Sequence, residues 1–211
     1  MIIIDIETSG NFYPEKNGVW QIGALDFYAP QNAFLQEARI DDEDSIEDGA
    51  LKVTGKTQAE LRDKKKQSQK KLLENFFAWA SKIKDRTFVA HNTPFDYGFL
   101  TLRAKKYKLE FPFSHRTFDL HAFAVMKYFQ INKKLPITDG KSEMNLPRVI
   151  EFCGLKDKRI QLKDNNIVKE GTPHNGLDDA KIEAECLSRI LYGKHLLNEF
   201  SQYKIPEYLA K

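Results

Sequence analysis

The chain opens on an apolar run, MIII, that continues at Ile6 and is interrupted by Asp5 and Glu7. Side chains on a strand alternate faces, so an extended segment over residues 1–8 puts both carboxylates on one side. Ile2, Ile3, Ile4 and Ile6 suit a strand covered on both faces, because β-branched side chains fit a pleated, buried surface. Two like charges at the end of such a strand repel one another unless something positive lies between them.

Segments near 18–28 and 33–40 also look extended and are joined to the first by short polar stretches, which predicts an antiparallel meander. From about residue 68 the pattern alternates. KKLLENFFAWASKI has helical spacing, TFVAH reads as a strand, FDYGFLTLRAKKY as helix, RTFDL as strand and HAFAVMKYF as helix. Strands separated by helices imply parallel crossovers. NLPRVIEFCGL predicts a short helix ending at Gly154, and DDAKIEAECLSRILYGKHLL a final amphipathic helix. The sum is an α/β fold with a mixed five-stranded sheet, its first three strands antiparallel and the others parallel, flanked by helices.

Composition adds limits. With 211 residues, 41% hydrophobic and 30% charged, the chain reads as one globular domain able to bury a real core. No apolar run approaches the ~18 residues of a membrane span, and no signal-peptide pattern precedes the first strand. Cys153 and Cys186 fall within apolar helical patterns and read as free, buried thiols, so the expected location is intracellular, in the cytoplasm. The net charge of +3 says little, and each charge run alone, RDKKKQSQKK (62–71), RAKKYK (103–108) or DDEDSIED (41–48), reads as a solvated face.

Acidic residues stand at the ends of several predicted elements. Asp96 follows the TFVAH strand in the first turn of the next helix, and Asp178 and Asp179 open the last helix just after PHNGL. Singly, each suits a helix cap, because acids complement the helix dipole there. His174 alone suits an ordinary loop. Together, DIET (5–8), HNTPFD (91–96) and HNGLDD (174–179) resemble the three ordered motifs of the DEDDh group of 3′–5′ exonucleases, ribonuclease H-like in fold, of the polymerase III epsilon and ribonuclease T type. WQIGAL (20–25) as second strand, ALKVTGKT (50–57) as the loop before the first helix, and TFDL (117–120) support the likeness, which spans residues 1–192.

The resemblance implies hydrolysis of phosphodiester bonds from the 3′ end of DNA or RNA, releasing nucleoside 5′-monophosphates, with single strands preferred. It implies two divalent ions, Mg²⁺ or Mn²⁺, held about 4 Å apart by Asp5, Glu7, Asp96 and Asp179, turning repulsion into coordination. Asp5 is expected to bridge both ions, Glu7 and Asp179 to serve the ion that activates water, and Asp96 the other. His174 accepts the water's proton, a task suited to imidazole. Asp178 is turned about 100° away from Asp179 around the helix and reads as a cap. Thr8 and Ser9 are expected to contact the terminal nucleotide, Phe95 to stack on a base, and Asn92 to shape its loop.

Two stretches depart from the family pattern. Residues 155–173, LKDKRIQLKDNNIVKEGTP, lengthen the connection before His174 and carry Lys156, Lys158, Arg159, Lys163 and Lys169. RIQL and NIVK around DNN predict a hairpin, expected to touch the substrate strand or act as a lid. INKKLPITDGKSEMN (131–145) reads as a surface loop, and residues 193–211 as a tail packing on the domain or on a partner such as a polymerase. Rival readings are a proofreading partner of a polymerase, a silent nucleic-acid-binding module of the same fold, and a haloacid dehalogenase-type hydrolase. The last wants a second Asp where Glu7 stands and leaves HNTPFD and HNGLDD unexplained.

Overall fold

The computed structural model describes residues 1–10 and 14–210; Lys211, the end of the expected tail, lies outside them. Strands β1 (Ile2–Thr8), β2 (Val19–Asp26) and β3 (Ala29–Glu37) form the antiparallel meander. Between β3 and the fourth strand run α1 (Asp48–Thr54), α2 (Gln58–Leu61) and α3 (Gln69–Ala80). Strand β4 (Phe88–Ala90) then pairs with β1 in parallel, α4 (Thr93–Tyr107) crosses over, and the two-residue β5 (Phe118–Asp119) pairs with β4, giving the order β3-β2-β1-β4-β5. This is the mixed sheet read from the sequence. Helix α5 (Leu120–Asn132), the hairpin β6 (Ile137–Thr138) and β7 (Lys141–Ser142), α6 (Leu146–Phe152), the hairpin β8 (Gln161–Lys163) and β9 (Asn166–Lys169), and α7 (Gly176–Tyr192) follow.

Central β1 explains its own composition. Ile2, Ile4 and Ile6 pack with Leu72, Phe76, Phe99 and Leu100 of α3 and α4 on one face. Ile3 packs on the other with Ala124, Val149, Ala184 and Leu187 of α5, α6 and α7. Burying each such side chain stabilises the fold by about 1.5–3 kcal/mol. Asp5 and Glu7 lie on the Ile3 face, turned toward α7.

Helix α7 docks by close backbone approach. A Cβ on Gly23 of β2 would sit 1.9 Å from the Gly176 carbonyl carbon, and one on Gly176 would sit 2.8 Å from the Asp5 carbonyl oxygen. Gly176 N–H donates to Gln21 Oε1 at 2.7 Å, and the Asn175 side chain caps α7 by accepting from Leu177 and Asp178.

Three local readings are revised. ALKVTGKT, read as a loop, is helical in its first part, because α1 runs to Thr54 and Gly55 closes it at φ 66°. Seven residues are too few to show a period. The loop over 131–145 contains β6 and β7, joined through Asp139 and Gly140, both at positive φ, as a tight hairpin turn requires. Gly154 lies one residue beyond the α6 cap, Cys153, at φ 75°, where its N–H still closes onto Glu151.

Cys153 and Cys186 are free and buried. Residues 193–210 fold back on the domain: buried Arg189 donates to the carbonyls of Phe200 and Tyr203, Glu185 accepts from the amides of Leu196 and Leu197, and Leu209 is buried. Among the described residues no helix is long and apolar enough to cross a membrane.

Candidate active site

Three elements bring acids to one place, and a loop adds a histidine. From β1 come Asp5, partly open, and Glu7, buried. Helix α4 supplies Asp96 from its first turn, buried, with Oδ1 accepting the Ile6 N–H at 3.1 Å. That turn is fixed by Asn92, which adopts a left-handed φ of 63°, and by Asp119 of β5, whose carboxylate accepts the Asn92 and Thr93 amides. Helix α7 supplies Asp179 in its first turn, buried, while Asp178 is exposed and 3.9 Å from Lys181. His174 is held on the loop before α7, where its N–H donates to the Val53 carbonyl of α1.

Ligand atoms of Glu7, His174 and Asp179 all lie within 4.8 Å of one another. Two adjoining cavities frame the group. One, of about 490 Å³, is lined by Asp5, Glu7, Thr8, Arg159, His174 and Asp179. The other, of about 480 Å³, is lined by Asp5, His91, Asn92, Asp96, His121 and Glu183. Asp5 and Phe95 face both. Phe95 also packs on Phe99 at 4.8 Å between ring centres. Ser9 lines neither: its hydroxyl donates to the Ser45 carbonyl and accepts the Gly18 N–H. Thr8 lines the first cavity, although its hydroxyl donates to the Gly10 carbonyl at 2.7 Å. His91 is anchored through Nε2 to the Met144 carbonyl, and burial pushes its basicity down.

Glu183 had no assigned role in the sequence, and Arg159 was expected only as one basic residue of a stretch that touches the substrate strand or acts as a lid. Glu183 stands one turn after Asp179, buried, and accepts the His91 N–H at 3.0 Å. Its place on the apolar face of α7, among Ala180, Ala184 and Leu187, was the available clue, since an acid on a core-facing stripe needs a partner. Arg159, one of five cations in the 155–173 stretch, is the one that is buried, donating through Nη1 to Asp179 Oδ2 at 3.1 Å. Nothing in its local sequence separates it from the exposed lysines around it.

Charge is concentrated here. Burial, then repulsion from Asp179, Glu183, Glu7 and Asp96, pushes the Asp5 carboxyl well above the usual carboxylate range. Burial raises Glu7 and Glu183 in the same way, and Asp179 less, because Arg159 and His174 oppose it. Asp96 is pushed up to about 8 by burial, with the Ile6 hydrogen bond opposing the rise. Asp179 Oδ1 is buried without a hydrogen-bond partner among the described residues. Converging hard oxygen donors, one of them orphaned, beside the His174 imidazole fit a divalent cation such as Mg²⁺ or Mn²⁺.

The exonuclease family model of the RNase T type matches residues 2–187. The chain belongs to this exonuclease family. It is thereby a hydrolase, a nuclease of the DEDDh exonuclease type, as its three motifs implied. No curated protein matches it in sequence. Among solved structures it is similar to the nuclease domain of 3′hExo, a DEDDh family member bound to rAMP, with 19% identity, TM-score 0.64, and 98% of this chain and 95% of that chain covered. It is also similar to cell-death related nuclease 4, with 16% identity, TM-score 0.67, and 92% and 64% covered. E. coli exonuclease I in complex with a dA16 oligonucleotide aligns at 16% identity and TM-score 0.61, over 92% of this chain and 40% of that one. At such identities these likenesses establish the ribonuclease H-like fold of this exonuclease family member.

Proposed function

We propose that the chain removes nucleoside 5′-monophosphates from the 3′ end of a nucleic-acid strand, assisted by two divalent cations. The observation that carries this reading is the gathering of Asp5, Glu7, Asp96, Asp179 and Glu183 around two cavities that share Asp5. In this reading Glu7 and Asp179 would hold one cation and Asp96 the other, with Asp5, which faces both cavities, available to either. When bound, such cations supply Lewis acidity toward water and toward the phosphate oxygens.

His174 holds and moves the proton. Its Nε2 lies 2.9 Å from the Ile160 carbonyl, which only accepts, so Nε2 carries the hydrogen. In neutral imidazole the lone pair is then on Nδ1, which lies 3.5 Å from Asp179 Oδ2 and faces the acids. Nδ1 is therefore the atom that takes a proton from attacking water. Phe95, shared by both cavities, offers a stacking face for the terminal base, and Thr8 and Asn92 border the positions the sugar and phosphate would take.

Beyond Asn145, Pro147 and Gln161, which line both spaces, the first cavity continues into a groove bordered by Lys141, Arg148, Lys163 and Lys169. We assign this groove to the strand upstream of the 3′ end, with the β8–β9 hairpin as one wall. Free, buried cysteines support a reducing, intracellular setting. The test uses 5′-labelled DNA and RNA strands, with 3′-blocked controls, in Mg²⁺ or Mn²⁺. Shortening from the 3′ end, abolished by chelator and by Asp5→Ala, is expected. Cuts within blocked strands, or intact strands throughout, would overturn the proposal.

A further inference from the structure

Asp179 already has a resident cation. Arg159 Nη1 donates to its Oδ2 at 3.1 Å, and the guanidinium is fixed from behind by a fork onto Asp157, with Nε to Oδ1 and Nη2 to Oδ2 both at 3.0 Å. The backbone around it is equally fixed. Ile160 N–H donates to the Thr172 carbonyl, Thr172 N–H donates to the Lys158 carbonyl, and a Cβ on Gly171 would meet the Lys158 carbonyl oxygen at 2.2 Å. Lys156, Lys158, Lys163 and Lys169 of the same stretch are exposed; Arg159 alone is turned inward. A guanidinium stays charged at any working pH, and its planar fork suits two carboxylates at once.

We propose that Arg159 is a built-in countercharge of the catalytic site, which competes with a divalent cation for Asp179 and so sets how tightly the site loads. This inference rests on the cation site proposed above. Two positive species on one buried carboxylate repel strongly in a medium of low effective dielectric, whichever oxygen the ion takes. The 155–173 stretch thereby acts on the chemistry through one buried side chain, and Arg159 is a positioning residue and not a catalytic one.

The experiment measures Mn²⁺ binding by calorimetry, without nucleic acid, for the wild type, Arg159→Gln and Asp157→Asn, each first checked by circular dichroism. Removing the guanidinium is expected to tighten binding about tenfold or more, from the lost repulsion. Asp157→Asn is expected to weaken binding several-fold, because Arg159 keeps its charge, loses its fork and falls wholly to Asp179. A side chain that merely props up Asp179 predicts weaker binding in both variants, and that result overturns the inference, as does an unchanged affinity in Arg159→Gln. Should Arg159→Gln not fold, Arg159→Met, which keeps the apolar stem and removes the charge, decides by the same sign: tighter binding supports the inference and weaker or unchanged binding overturns it. No Mn²⁺ binding by the wild type would instead remove the cation site itself.

Discussion

The backbone N–H of Ile6, between Asp5 and Glu7 in sequence, donates to Asp96 Oδ1 at 3.1 Å. One carboxylate thus serves the strand that carries two others, which fixes the first turn of α4 against the end of β1. Asp96→Asn keeps an oxygen acceptor and is expected to fold normally while losing about 10²-fold or more in nuclease rate, the scale of removing one well-placed polar group. Asp96→Ala leaves the buried Ile6 N–H unpaired and should also cost about 1–3 kcal/mol in stability. Denaturant unfolding beside a cleavage assay separates the two effects.

pH should act through the same acid. The Asp96 carboxyl is raised from 3.8 to about 8 in the fold, so its contribution is full below about pH 4 and is lost as pH rises toward 8. Asp5, Glu7 and Glu183 are shifted in the same direction. In chelator, the melting temperature is expected to fall between about pH 5 and pH 8, less so in Asp96→Asn. Added Mn²⁺ should restore it, with an affinity that climbs across that range because ligation needs the charged carboxylates. A flat profile in chelator would contradict the burial of these acids.

His174→Gln tests the base. Glutamine can still donate to the Ile160 carbonyl, yet it cannot take a proton, so the rate is expected to drop about 10²–10⁴-fold. Mn²⁺ binding should largely survive. A rate close to wild type would assign the proton transfer elsewhere.

Gly23 pairs with Asp5 across β1 and β2 and lies under the start of α7. Gly23→Ala forces the Gly176 backbone off β2, and with it the helix turn that carries Asp179. Overpacking of this kind costs about 1–3 kcal/mol, so reduced stability and reduced activity should appear together. Normal activity with normal stability would mean that α7 tolerates a shift.

The upstream groove can be read by salt. Lys141→Ala and Lys163→Ala are expected to weaken binding of every strand sequence alike and to lower the salt dependence by about one unit of slope each. Fluorescence anisotropy with a labelled strand, across a salt series in chelator, measures this. Identical slopes would route the strand along another face.

Much of this was legible along the chain. The isoleucine run with two acids on one face, the switch from meander to alternating strands and helices, and the three acidic motifs are local features, so periodicity and spacing reveal them. The hairpin about DNN followed from its turn residues, and Asp164 and Asn165 adopt positive φ there. The short helix α1 and the two-residue strands β6 and β7 were less legible, because such short elements show no period.

By itself the sequence determined the mixed sheet and the order of its strands, and it singled out Asp5, Glu7, Asp96, His174 and Asp179 as candidates that the fold then brings to one place. Only the tertiary structure decided that Glu183 joins them, that Ser9 is spent on the Ser45 and Gly18 backbone, and that Arg159 and not a neighbouring lysine reaches Asp179. The physical reason is range. Hydrophobic periods and turn propensities act over a few residues, whereas a buried charge takes its partner from whatever segment the fold lays beside it, here one 20 residues away, as Arg159 is from Asp179.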